Sequence, residues 1–415
     1  MKIIVAHEGK QHSFKTAEAI YKDNSLCYYV TTIYDKPWSL TRIVKMFLRG
    51  NMKKKCASHK SNVLPNNIVK QYCEWKGLFR MFISKIPFLN ECFPNYYDWL
   101  HDSFGKEVAK LAIKNNVDAV IMYDTNANQC WKILKEKAPH IKRILDVTIG
   151  NRLYLEKIYR EDAERYPQTS QYLLKEQKDV FDVTKRERLA EELQLSQFFL
   201  AGSKFVKHSL EYSGVDAQRI FVINYGVNLS QFKPLDKKIS EGPLKLLFTG
   251  NCSYRKGMHH LLAVIATYNP KDVELYIAGG YDEQSFFYKK YSSLPNVHFL
   301  GFVTHDILQE IYAKTDVFVL PSLAEGFAMV SLEALGAGLP IICTTNSGCN
   351  DIVENCKNGF VIDASDEVAL KNRINWFVDN KAKIPEMSVY ANKSVSQHSW
   401  VDYGNNLLNS IKSIL

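Results

Sequence analysis

The sequence predicts an α/β protein of two domains, each built on a parallel sheet. Three observations carry this. Short β-branched and aromatic runs alternate with amphipathic helical stretches along the 415-residue chain. There are twelve such runs, more than one doubly wound sheet usually holds. Residues 226–243, GVNLSQFKPLDKKISEGP, are rich in Pro, Gly, Ser and Lys and lack apolar periodicity, as a linker should.

In order, the first six runs are KIIVA (2–6), CYYVTT (27–32), DAVIMYD (118–124), ILDVT (144–148), FFLAGS (198–203) and RIFVINYG (219–226). Six more follow the linker: KLLFTG (245–250), ELYIAG (274–279), VHFLGF (297–302), VFVLPS (317–322), PIICTT (340–345) and GFVID (359–363). These place a first domain at 1–225 and a second at 226–390. The tail, 391–415, carries Val395, Trp400, Tyr403, Leu407, Leu408, Ile411 and Leu415 as a helical apolar stripe, which predicts a docked helix.

Composition narrows the function classes. With 46% hydrophobic residues the chain can bury two cores. No window approaches the roughly 18 apolar residues of a membrane span. The start, MKIIVAHEGK, reads as a first strand rather than a signal peptide. Nine cysteines with no C-x-x-C pair argue against a disulfide framework or structural zinc and favour a reducing cytoplasm. The net charge of +9 is unevenly placed: residues 1–220 hold 36 Lys+Arg against 25 Asp+Glu, the remainder 17 against 19. An anionic partner is therefore expected for the first half only, whether membrane surface, phosphorylated acceptor or nucleic acid. Arg42, Lys45, Arg49 and Lys53 fall on one face of a helix, beside Ile43, Met46, Phe47 and Leu48. Such a helix either lies on an anionic membrane or packs as an ordinary surface helix.

Two stretches carry chemistry. VFVLPSLAEGFAMVSLEALGAGLP (317–340) reads as strand, loop and helix, with Glu325 in the loop and Glu333 on the helix. A helix N-terminus suits a phosphate, and flanking carboxylates suit hydroxyls. On spacing alone the pair could equally be a loop acid and a solvated helix glutamate. GNCSYRKG (250–257) closes a strand of the second domain, with Arg255 and Lys256 as phosphate ligands or as a solvated pair at a helix entry. Both stretches sit where open α/β sheets bind ligands.

With TGNCSYRKGMHHLL, NVHFLGFV, DVFVLPSLAEGFAMVSLEALGAGLPII and GCNDIVENCKNGFVI in this order, the chain resembles family 4 glycosyltransferases, the group 1 glycosyl transferases. The resemblance extends upstream through SQFFLAGSKFVKHSL and RIFVINYGVNLSQFKP, so it covers about residues 185–405. It implies a GT-B fold: two facing Rossmann-like domains, with a C-terminal helix crossing back to the first.

It also implies a retaining, metal-independent transferase acting on a UDP- or GDP-linked sugar, with no cofactor. Glu333 would bind the ribose and Glu325 the donor sugar. Amides of Gly326, Phe327, Ala328 and Met329, with the helix start near Ser331, would line sugar and diphosphate. Arg255 and Lys256 would neutralise the leaving diphosphate beside Gly250 and Asn251, and Phe302 would border the base. Gly9 would approach the diphosphate from the first domain, with Lys10 and His12 on the acceptor side.

Two positions depart from the family pattern. Asn251 stands where many members have arginine. Ile149, Gly150, Asn151 and Arg152 stand where many carry a histidine, so Asn151 or Arg152 is expected to substitute on the acceptor side. The expected acceptor is a glycan, a lipid-linked compound or a small hydroxyl compound in polysaccharide, glycolipid or cell-envelope glycan synthesis. The expected location is the cytoplasm, peripheral at the inner membrane face if the basic helix binds lipid. No Asp-x-Asp metal signature, G-x-G-x-x-G fingerprint or nucleic-acid module is present. The alternatives are a nucleotide-sugar epimerase of the same architecture and a non-catalytic nucleotide-sugar-binding protein.

Overall fold

The computed structural model describes residues 1–83, 88, 92–93, 96–228 and 241–415. Two parallel sheets organise it. The first orders its strands β3-β2-β1-β4-β5-β6-β7, with β1 Ile3–Ala6, β2 Leu26–Thr31, β3 Val69–Gln71, β4 Ala119–Tyr123, β5 Lys142–Val147, β6 Phe198–Ala201 and β7 Ile220–Val222. The second orders them β10-β9-β8-β11-β12-β13, with β8 Leu244–Thr249, β9 Val273–Ala278, β10 Val297–Gly301, β11 Val317–Leu320, β12 Ile341–Thr344 and β13 Gly359–Ile362. β1 (IIVA), β4 (AVIMY), β11 (VFVL) and β12 (IICT) are buried along their whole length, which is why they read as continuous apolar runs rather than alternating ones.

Strand order reverses between β1 and β4 in the first sheet and between β8 and β11 in the second. The crevice outside the carboxyl ends of such a strand pair is where open α/β sheets hold ligands. Each predicted motif ends at one of these points: residues 7–12 follow β1, 250–257 follow β8 and 321–328 follow β11.

The tail crosses back as expected. Ser399 caps the helix Trp400–Ile414 in a reciprocal box with Asp402. The helix lies on Ser13–Lys22 of the first domain: the Tyr403 and Thr16 hydroxyls are 2.8 Å apart, and Lys412 pairs with Asp23 at 3.1 Å. The Val227 amide donates to the His398 carbonyl at 2.8 Å, tying the start of the linker to the start of this helix. Residues 229–240 of the predicted linker lie outside the described residues.

All twelve predicted runs contain strands. The thirteenth strand, β3, was missed because VKQ offers three residues and no apolar run; its partner β2 selects it. The single basic helix expected over 42–53 is instead two, Leu40–Phe47 and Gly50–Ser58. Leu48 and Arg49 are extended and Gly50 takes φ +54°, so the chain turns there and Arg42 and Lys53 do not share a helix face. Among the described residues no helix is long and apolar enough to cross a membrane.

Candidate functional site

The loops after β8 and β11 are locked together. Gly257 takes φ +68°, and a Cβ there would lie 1.9 Å from the Pro321 carbonyl oxygen, so only glycine lets the loops approach this closely. The Leu323 amide donates to the Arg255 carbonyl at 2.8 Å, and the Glu325 amide to the Asn346 carbonyl at 2.9 Å. Glu325 is thereby brought to both predicted cations: Lys256 Nζ lies 2.6 Å from its Oε1 and Arg255 Nη1 3.0 Å from its Oε2. Arg255 also donates to the Ala324 carbonyl at 2.7 Å. The Glu325 side chain is only 12% exposed. Burial pushes its pKa up, but Arg255 and Lys256 outweigh burial and hold it below the ordinary glutamate value. Both cations thus share this one side-chain carboxylate, just before the N-terminus of the helix Met329–Gly336.

The other residues predicted for the donor side lie on the loops after β8, β10 and β11 and on the helix Met329–Gly336. Lys256 Nζ lies above Gly250, 3.5 Å from where a Cβ would stand. Asn251 and Phe302 meet over Gly280, with Asn251 Oδ1 at 3.0 Å and Phe302 Cζ at 2.9 Å from its Cβ position, and Phe302 is 86% exposed. Phe327 is buried against Tyr225 of the first domain. The Ala328 amide donates to the Ser347 carbonyl at 3.3 Å, so it is not free for a ligand; Met329 packs on the core. The buried Ser331 hydroxyl, in the first turn, has no hydrogen-bond partner. Glu333 lies by Tyr312, about one turn into the helix; burial raises its pKa, while His305 and the Tyr312 hydroxyl oppose that rise. Glu325 itself precedes the helix, which starts only at Met329.

Gly326 is one of the points where the domains touch. A Cβ there would fall 1.7 Å from the Thr148 carbonyl oxygen, and its own carbonyl accepts from the Ser203 hydroxyl at 2.5 Å. The loop after β11 is thus pressed onto the ends of β5 and β6 of the opposite sheet.

The acceptor-side residues are divided. Gly9 and Lys10 line a cavity of about 370 Å3 with His7, Glu8, His59, Arg80 and Tyr97. His12 lies in a buried cluster instead: its Nε2 is 2.9 Å from Asp146 Oδ2, and its ring lies on Tyr225 with centroids 4.2 Å apart. Asn151 caps the helix Arg152–Arg165, accepting from the Leu153 amide at 3.0 Å and the Ser213 hydroxyl at 2.7 Å. Arg152 donates to the Asp179 carbonyl at 2.5 Å, and burial lowers its pKa. Asn151 and Arg152 border a separate cavity of about 150 Å3 with Asp124 and Glu192.

Several residues were not found by reading the sequence. Glu8 is buried after β1, with Oε2 accepting from Arg80 at 2.9 Å and Oε1 without a hydrogen-bond partner. Burial pushes its pKa up to about 7 even though Arg80 and Arg188 draw it down. Its partner arrives because Gly77 has no Cβ to meet Thr32 Oγ1, which would be 2.2 Å away; the helix Glu74–Ile83 can therefore lie on β2 and deliver Arg80. Tyr159 is fully buried with its hydroxyl unpartnered, and Arg255 and Glu325 both act on its charge. Arg80 and Tyr159 lie on the helices Glu74–Ile83 and Arg152–Arg165, whereas Glu8 lies in the turn after β1, where no local pattern marks it.

Among the described residues one group of three could hold a metal: Asp162, His259 and His260, with ligand atoms within 4.8 Å of one another. Hydrogen bonds already account for its geometry. His260 has Asp162 at 2.7 Å on Nε2 and Glu367 at 2.9 Å on Nδ1, so both ring nitrogens face acceptors. Burial lowers its pKa, but the two carboxylates outweigh that and raise it, while burial pulls neighbouring His259 down to about 4.

Residues 231–394 match the family described as Glycosyl transferases group 1. The match lies over the second domain. An uncharacterised group relative, a glycosyltransferase of Methanocaldococcus jannaschii, is 32% identical over 143 residues, or 32% of this chain and 37% of that one. The chain spans about two fifths of the length of the curated relatives it matches first. Solved structures match over the whole chain. The sucrose-phosphate synthase of Thermosynechococcus elongatus gives a TM-score of 0.65 at 17% identity, covering 100% of this chain and 99% of that one. Anabaena HepE, solved in complex with UDP and glucose, gives 0.63 at 17% identity, covering 100% of both. At this identity the likeness concerns the fold alone, and the fold is GT-B.

Proposed function

We propose that the protein transfers a sugar from a nucleoside diphosphate-sugar to a hydroxyl acceptor with retention at the anomeric carbon. The observation that carries this is the buried Glu325 held between Lys256 and Arg255 at the start of the helix Met329–Gly336. The diphosphate is met by Lys256, Arg255 and the helix N-terminus, which stabilise it as it leaves. Glu325, ionised at neutral pH, then accepts hydrogen bonds from hydroxyls of the sugar, and Glu333 from those of the ribose. Closure at Gly326 and Thr148 excludes the water that would otherwise hydrolyse the donor. The side chains at this centre form no metal-binding carboxylate pair, and leaving-group charge is met by Lys256 and Arg255, so we assign no metal or cofactor. The family match over residues 231–394 and the UDP complex of the structurally similar HepE support this reading.

The acceptor is assigned to the first domain. Around helix Leu40–Phe47 the chain exposes Met46 at 66%, Phe47 at 81% and Trp38 at 98%, with Arg42 exposed on the same helix. We assign this surface to the headgroup layer of an anionic cytoplasmic leaflet, which makes a lipid-linked acceptor in envelope or polysaccharide synthesis the preferred class. Sedimentation with phosphatidylglycerol vesicles but not with phosphatidylcholine vesicles is expected; equal recovery with both contradicts it.

The reaction is tested by nucleotide release from UDP- and GDP-sugars. Lys256→Ala should lower transfer at least about tenfold while the fold remains intact, the cost of one charge-assisted contact to the leaving group. Unchanged transfer removes Lys256 from the site.

A further inference from the structure

The phosphate loop of the second domain is held from the first half of the chain. Helices Arg152–Arg165 and Pro167–Glu176 precede β6 and β7 of the first sheet, yet they dock on the second domain. Asp162 receives both His259 and His260, and the Tyr166 hydroxyl donates to the Ser365 carbonyl at 2.7 Å. The Tyr172 ring stacks on Tyr254 at 5.8 Å and 7° and on Phe286 at 5.1 Å and 21°. The last residue, Glu176, reaches the loop itself: one carboxylate oxygen accepts from the Tyr254 amide at 2.8 Å and the other from the Arg255 amide at 3.0 Å.

Two features make this grip more than a surface contact. An acid at the last residue of a helix opposes the helix dipole, so its placement is unfavourable unless something outside the helix offsets it. The two amides do so, and they belong to successive residues, which fixes the main-chain direction at Arg255. That direction decides where the guanidinium leaves the loop to meet Glu325 and the Ala324 carbonyl. The loop has no acid of its own between Gly250 and Gly257 to do this.

We infer that Glu176 is a positioning residue for Arg255: from the first half of the chain it sets the phosphate-binding arginine of the second domain, so that nucleotide affinity depends on this helix pair being docked. The inference rests on the reading of Arg255 as a diphosphate contact.

The test is a double-mutant cycle read by calorimetric titration with UDP and with GDP. Wild type, Glu176→Ala, Arg255→Ala and the double variant are compared, with melting temperatures alongside. Glu176→Ala should weaken the preferred nucleotide at least about tenfold, and the double variant should bind within about threefold of Arg255→Ala, because the two residues act as one unit. Glu176→Gln, which keeps one acceptor oxygen and the side-chain volume, should fall between wild type and Glu176→Ala, and it carries the test if the alanine variant melts early. Wild-type affinity in Glu176→Ala, tighter binding, or losses that multiply in the double variant would each overturn the positioning role alone. Failure of the wild type to bind either nucleotide would overturn the donor reading, and this inference with it.

Discussion

Glu325→Gln separates two effects that a simple loss of a site residue would not. The Glu325 side chain is 12% exposed, and its partners Lys256 and Arg255 are 15% and 24% exposed, so solvent screens the cluster little. Removing the carboxylate charge leaves two partly buried cations without their counter-charge, a change that costs about 3 kcal/mol in comparable buried pairs. For a domain of this size each 1 kcal/mol moves the melting temperature by about 2 to 4 °C, so a fall of roughly 6 to 12 °C is expected. A nucleoside diphosphate brings negative charge to the same two cations and should restore much of that loss. UDP or GDP should therefore bind the variant as tightly as wild type or tighter, while sugar transfer falls at least about tenfold through the missing hydroxyl contact. Scanning calorimetry with and without nucleotide, calorimetric titration and a nucleotide-release assay give the three readouts. Nucleotide affinity that falls in parallel with transfer, or a melting temperature that does not move, would refute the charge competition argued for Glu325.

Two further outcomes follow from the geometry. Gly326→Ala places a methyl group 1.7 Å from the Thr148 carbonyl oxygen, so the domains can no longer close as they do here; X-ray scattering should show a larger radius of gyration and transfer should fall at least about tenfold, whereas an unchanged radius with full activity would show that this contact is not the closed state. Glu8 is an acid whose folded pKa is raised to about 7 from 4.5, so the folded state binds the extra proton and stability falls as pH rises through that interval, by up to about 3 kcal/mol. Glu8→Gln should therefore gain stability relative to wild type between pH 5 and pH 8 in urea titrations, and a difference that stays constant with pH would refute the buried-acid assignment.

The architecture was legible because its signals are local. Buried parallel strands such as IIVA and VFVL read as unbroken apolar runs, and turn residues mark their carboxyl ends, where the site lies. Arg255, Lys256 and Glu325 could be proposed together because the two loops that carry them follow neighbouring strands, β8 and β11. What could not be read depends on distant partners. Glu8 acquires its character from Arg80, seventy-two residues away, and from burial; Glu176 and Asp162 acquire theirs from a docking of helices that leaves no periodic mark. His12 and Asn151 were plausible ligands by type, and the fold gives them an aspartate partner and a helix cap instead. The break between helices at Leu48–Gly50 was hidden because charge periodicity continues through residues whose backbone does not.

The central claim is that the second domain binds a nucleoside diphosphate through Arg255 and Lys256. A thermal-shift series with UDP, GDP, ADP and their glucose conjugates tests it most directly, because a ligand selective for the folded state raises the melting temperature by mass action. At a hundredfold excess over the dissociation constant the gain is about 2.7 kcal/mol, or roughly 5 to 11 °C. The account predicts such a shift for UDP or GDP, and at most about half of it in Lys256→Ala at the same nucleotide concentration. No shift with any nucleotide, or the same shift in Lys256→Ala, would contradict it.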